Sequence, residues 1–215
     1  VTDQEWKFFK QYDQFYKVSD RVLRETSTGE APWIVVEGSD EYYRSLTVGK
    51  LLLAGLKDKL AAPTPEKALA RKVRKTASAA PMLQMPIDGK NVLGALNFAQ
   101  KVPKARYERE LEKWQGELNK LSRHPKFRER SCLCVFEGQD AAGKGGAVRR
   151  ITQALDARFY SVIPVAAPTE EERAQPYLWR FWRHLPRQGH FTIFDRSYYG
   201  RVLVERVEGF CREED

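Results

Sequence analysis

The chain has 215 residues, of which 42% are hydrophobic, 31% charged and 12% aromatic, with 14 glycines. These proportions exclude a disordered, collagen-like or fibrous chain and suffice for one domain or two small ones. The net charge of +8 is uneven, being −1 over residues 1–60, +9 over 61–130 and zero over 131–215. No stretch approaches the roughly 18 uncharged apolar residues of a membrane span, and the opening VTDQEWKFFK is not a secretory signal, so no membrane partner is expected. Three cysteines, with Cys132 and Cys134 alternating on one apolar run and Cys211 far away, are too few for a disulfide framework or a four-ligand zinc site. A reducing, cytoplasmic setting is expected.

Residues 3–24 read as a helix, with Trp6, Phe9, Tyr16 and Leu23 on one stripe and Phe8, Tyr12, Phe15 and Val22 on the next. Thr26–Gly29 breaks it. Trp33–Val36, after Pro32, has the composition of a short strand buried on both faces, and a helix from about Tyr42 to Leu60 follows. Such a strand needs neighbours: it belongs either to a separate, partly unsupported first subdomain or docks beside the later strand at Leu133. The stretch 61–95 carries Pro63, Pro65, Pro81 and Pro86 with little periodicity, and is expected to be a linker. Its Arg71, Lys72, Arg74 and Lys75, with Arg123, Lys126, Arg128 and Arg130 further on, suit attraction to a polyanion, although a solvated linker explains them as well. No nucleic-acid-binding module is present, so nucleic acid is not the expected partner.

Tyr107, Leu111, Trp114, Leu118 and Leu121 give helical spacing over 104–121. Three apolar runs follow, at 131–136, 159–165 and 191–194, separated by segments of helical character that Pro176 interrupts once. Alternating strand and helix predicts an α/β fold with a parallel sheet flanked by helices.

Behind the first of these strands stands Gly138-Gln139-Asp140-Ala141-Ala142-Gly143-Lys144-Gly145-Gly146. The spacing of Gly138, Gly143 and Lys144 is that of a phosphate-binding loop: glycines let backbone N–H groups turn onto phosphate oxygens, and the lysine supplies a full charge at a helix N-terminus. Gly145 stands where a serine or threonine hydroxyl would ordinarily meet Mg²⁺, so another ligand is needed. Asp140, a carboxylate placed among phosphates, answers that need, the competing reading being a simple helix cap. Asp195 closes the run Phe191-Thr192-Ile193-Phe194, where a second acidic Mg²⁺ ligand belongs, and Arg196 behind it would point a fixed cation at phosphate or make a structural ion pair. Arg149, Arg150, Arg180, Arg183, Arg187 and Arg201 occur with no lysine after Lys144, a bias that favours forked contacts to phosphate. His124, His184 and His190 have no metal or triad spacing.

The segments FEGQDAAGKGGAVRRI, APTEEERAQPYLWRFWRHLPRQG and IFDRSYYGRVLVERVEGF resemble the polyphosphate kinase 2 family continuously over 104–215, with Gln139 where tryptophan is usual. Residues 1–60 resemble the end of the same domain, so the order is inverted. This is what a cut through the two-domain polyphosphate:AMP phosphotransferases of that family would give. The resemblance implies a first kinase-like domain ending at 1–60, a linker over 61–95 and the start of a second P-loop domain at 96–215. It lacks the later strands and the basic lid, and that absence weighs against turnover by this stretch alone.

The resemblance also implies an enzyme that transfers the terminal phosphoryl of inorganic polyphosphate to a nucleotide, AMP giving ADP, with Mg²⁺. Gly138, Ala141, Ala142, Gly143, Gly145, Gly146, Arg149 and Arg201 would hold phosphate. Asp140, Lys144, Asp195 and Arg196 would be catalytic, with Asp140 and Asp195 on the metal. An ATP-dependent nucleotide kinase and a silent polyphosphate- or nucleotide-binding domain are the alternatives, and assembly into a homo-oligomer stays open.

Overall fold

The computed structural model describes residues 6, 9–29, 31–62 and 93–212, so most of the expected linker lies outside the described residues. Two compact units account for them. The first holds residues up to 35, then 93–97 and those from 198 onward; the second holds 36–62 and 98–197. In the first unit, α1 (Tyr12–Thr26) meets a helical stretch wound as a π-helix over Arg201–Glu205 and as an α-helix over Arg206–Glu208. Val22 and Val207 are buried there.

Trp33–Val36 has no regular secondary structure and joins no ladder, contrary to the strand expected from its composition. The reason is local. The Trp33 indole donates to Thr26 Oγ1 at 2.7 Å, its amide to Ser27 Oγ at 3.2 Å, and its ring stands edge-on to Tyr199. The turn that ends α1 therefore satisfies groups that a sheet neighbour would otherwise have to meet.

The second unit is an α/β layer structure with a three-stranded parallel sheet in the order β1-β3-β2, where β1 is Cys132–Phe136, β2 Tyr160–Pro164 and β3 Phe191–Asp195. Central β3 is apolar at Phe191, Ile193 and Phe194 because both its faces are covered. Phe191 and Ile193 face a core built by α2 (Glu41–Ala61), α3 (Lys104–Ser122) and α4 (Lys144–Thr152). Phe194 faces the other way, against Phe181 in the short helix Trp179–Trp182 that begins after Pro176.

Helix α2 starts where Asp40 accepts from the Tyr43 amide at 2.6 Å, and it turns Leu46, Leu53, Leu56 and Leu60 inward at helical spacing. It runs parallel to α3, with Tyr42 stacked on Tyr107, Lys50 paired to Glu110 and Lys57 paired to Glu117. No helix among the described residues is long and apolar enough to cross a membrane.

Ile193 is fully buried at the middle of the central strand. Ile193→Ala is expected to cost about 2–5 kcal/mol, as for other deletions of a buried branched chain. Urea unfolding measures it; a loss below about 1 kcal/mol would contradict the packing described.

Candidate functional site

Strand β1 pairs with β3 so that Phe136 lies beside Asp195, which brings the ends of the two strands together. The chain leaves β1 into the glycine-rich loop and leaves β3 into Asp195-Arg196-Ser197. Asp140, Ala141, Gly143, Lys144, Gly145, Asp195 and Arg196 line one cleft of about 390 Å³, closed on one side by Pro164 and Val165 at the end of β2. Gly138, Ala142 and Gly146 belong to the same loop without lining the cleft. Arg149 is exposed on α4. Arg201 belongs to the first unit, where it pairs with Glu205 at 3.3 Å.

The loop depends on left-handed backbone. Gly138 and Gly143 have φ of +145° and +83°, values that glycine adopts without strain, and Ala141 joins them at +60°. Gly143 precedes α4, and the first amides of that helix have no carbonyl one turn back to bond, so they are free to meet an anion. Lys144 folds over the loop, donating to the carbonyls of Gly138 at 2.9 Å and Gln139 at 2.8 Å. Burial, and then the neighbouring Arg196 cation, lower the Lys144 ammonium below its ordinary range.

Arg196 also has a left-handed φ, +66°, a strained conformation for a long side chain. Two contacts hold it: its amide donates to the Phe136 carbonyl at 3.0 Å, and its guanidinium pairs with the Asp140 carboxylate. The cleft thus sets two carboxylates against two cations. No group of three or more His, Cys, Asp or Glu side chains suited to a metal occurs among the described residues. Two carboxylates are nevertheless a fitting set for Mg²⁺, which takes one or two together with phosphate oxygens and water.

Among the other sequence-selected arginines, Arg150 donates to Tyr107 Oη and to the Gly146 carbonyl, Arg180 to the Ala166 carbonyl with Glu172 at 3.3 Å, and Arg183 lies over Trp179. Arg150 and Arg180 are tied into packing, whereas Arg183 is exposed. Two neighbours of the loop carried no sequence signal. Glu137 is reached by the Ser197 hydroxyl at 2.7 Å, an approach that only the sheet register creates. Arg44 comes from α2 and lies against Gly143.

The description "Polyphosphate kinase 2 (PPK2)" belongs to the family model that matches the chain, over residues 1–63 and 101–215. The chain is 54% identical to a polyphosphate:AMP phosphotransferase of Pseudomonas aeruginosa, covering 98% of this chain and 41% of that protein. It is 48% identical to one from Pseudomonas syringae pv. tomato, covering 100% and 42%. A crystal structure described as a putative polyphosphate kinase 2 from Pseudomonas aeruginosa superposes with a TM-score of 0.56 at 51% identity, covering 95% of this chain and 38% of that one. The chain therefore spans about two fifths of the length of these relatives.

Burial raises the Glu137 carboxyl above its ordinary 4.5, so folding favours its protonated form. That contribution to stability is complete below 4.5 and is lost as pH rises through the raised value. Glu137→Gln, which keeps an acceptor for Ser197, is expected to melt above the native chain at pH 7 and level with it near pH 4. Thermal melts at the two pH values check this; an equal offset at both would contradict it.

Proposed function

The chain belongs to the polyphosphate kinase 2 family, and on that premise we propose that it acts in Mg²⁺-dependent transfer of a phosphoryl group from inorganic polyphosphate to a nucleotide, AMP giving ADP. The observation that carries the proposal is the cleft at the ends of β1 and β3, where a glycine-rich loop, two carboxylates, a lysine and an arginine face one space. Phosphoryl transfer asks little covalent chemistry of a protein. It needs donor and acceptor aligned and the charge on the equatorial oxygens offset.

Under this reading the loop amides between Gly138 and Gly146 and the Lys144 ammonium hold donor phosphate. The ammonium, now lowered by burial and by Arg196, regains its ordinary basicity when an anion arrives. Arg196 exchanges its pairing with Asp140 for the transferring group, and its strained backbone fixes where that fork points. An acceptor phosphate oxygen attacks the terminal phosphorus, and the bridging oxygen leaves on the shortened chain with the bonding pair. No general base is needed, because the acceptor is already ionised at neutral pH. Asp140 and Asp195 would hold Mg²⁺, which when bound neutralises phosphate charge. Arg149, exposed on the helix behind the loop, and Arg201 would be further contacts to phosphate. Polyphosphate and AMP or ADP are the partners, and the cytoplasm, where the three free cysteines stay reduced, is the compartment.

The direct test supplies the purified intact protein that carries this chain with AMP, Mg²⁺ and either polyphosphate or ATP as donor. ADP should form from polyphosphate. Lys144→Ala should lower that rate by on the order of 10² or more, the scale of losing one fixed charge at the transition state. Asp140→Asn and Asp195→Asn should abolish it without changing the circular dichroism spectrum. Near-native turnover in either aspartate variant would remove it from the metal site, and turnover with ATP alone would replace the donor.

A further inference from the structure

Arg44 is half-buried at the start of α2, outside every motif of the sequence, and its guanidinium covers the left-handed glycine of the loop. A Cβ on Gly143 would collide with Arg44 Cζ and Nη2, so the contact needs glycine for space as well as for its φ of +83°. Nη1 donates to the Gly38 carbonyl. Gly38 is pressed on the loop in turn, since a Cβ there would meet the Ala142 carbonyl oxygen at 3.2 Å. Arg44 Nε is buried with no acceptor among the described residues. The helix that carries this arginine is capped by Asp40 and anchored through buried Leu46 and Leu53.

For packing alone this is a poor choice. A half-buried guanidinium stands beside the N-terminus of α4, whose dipole has the same sign, and its buried Nε has no acceptor among the described residues. An apolar chain of similar volume would fill the space without that cost. The arrangement is favourable only if negative charge arrives on the far side of the loop, in the cleft that Lys144 and Arg196 line. We propose that Arg44 is a positioning residue for phosphate capture: it braces Gly143 from behind so that the loop amides face the cleft, and its charge adds to the field that draws the anion in. The inference rests on the phosphate reading of the cleft given above.

Calorimetric titration of the full chain with inorganic tripolyphosphate tests it without requiring turnover. Arg44→Met keeps the stem and removes the charge, and Arg44→Lys keeps the charge without the flat fork. The Met variant is expected to bind about tenfold more weakly. It should melt no lower than the native chain, and its binding should vary less steeply with salt. The Lys variant should recover part of the loss. A Met variant that binds as the native chain does, or a Lys variant no better than Met, would overturn the inference; if Met fails to fold, Lys decides by the same criterion. Lys144→Ala separates the two levels of the account. If native protein binds and Lys144→Ala does not, while Arg44→Met is unchanged, only the role of Arg44 fails. If Lys144→Ala binds like native protein, or native protein does not bind, the phosphate reading fails and takes this inference with it.

Discussion

Parallel pairing of β1 with β3, in the register that sets Phe136 beside Asp195, is the constraint on which the site depends. Parallel strands end on the same side of a sheet, so the segments that follow them emerge together although some sixty residues separate them. The register is stiff because β3 is buried on both faces, with Phe191, Ile193 and Phe194 each within 1% of full burial. A slip by one residue would turn Phe191 and Ile193 away from the helical core and carry Asp195 past the loop. The Arg196 amide bond to Phe136 and the Ser197 bond to Glu137 extend the pairing beyond the last residues of the strands. What this register holds is a cleft rather than a packed joint.

Charge in that cleft is balanced locally and unbalanced around it. Asp140 and Asp195 face Lys144 and Arg196, while Arg44 lies behind the loop and the free amides of α4 add their partial positive charge. The surplus is positive where an anion would sit. Much of it is prearranged: Arg196 is held by strained backbone, Arg44 by a capped helix and Lys144 by two carbonyls. Preset charges of this kind need little reorganisation when a charged group arrives, which is how a fixed polar site outperforms water.

Much of this was legible in the sequence because it is periodic or local. The leucines of α2, the Tyr107-to-Leu121 spacing of α3 and the three apolar runs of the sheet each carry their own period, and each forms within one or two residues of the expected bounds. Asp140, Lys144, Asp195 and Arg196 were legible as a motif, and they line one cleft. Trp33–Val36 was misread because its β-branched and aromatic composition says nothing of its partners, and the hydroxyls of Thr26 and Ser27 took the place of a strand. Glu137 and Arg44 were invisible for the opposite reason. A glutamate after a strand and an arginine in a helix are ordinary, and only the tertiary register and the missing Cβ of Gly143 bring them to the loop.

Anion binding at the ends of β1 and β3 is the property on which the proposed function stands. Amide chemical-shift mapping of the ¹⁵N-labelled chain during titration with inorganic tripolyphosphate tests it residue by residue. The account predicts that the largest and saturable shifts fall on the amides from Gly138 to Gly146 and on Arg196. Shifts concentrated on the basic face of α3, around Arg109 and Lys113, with the loop silent, would contradict it.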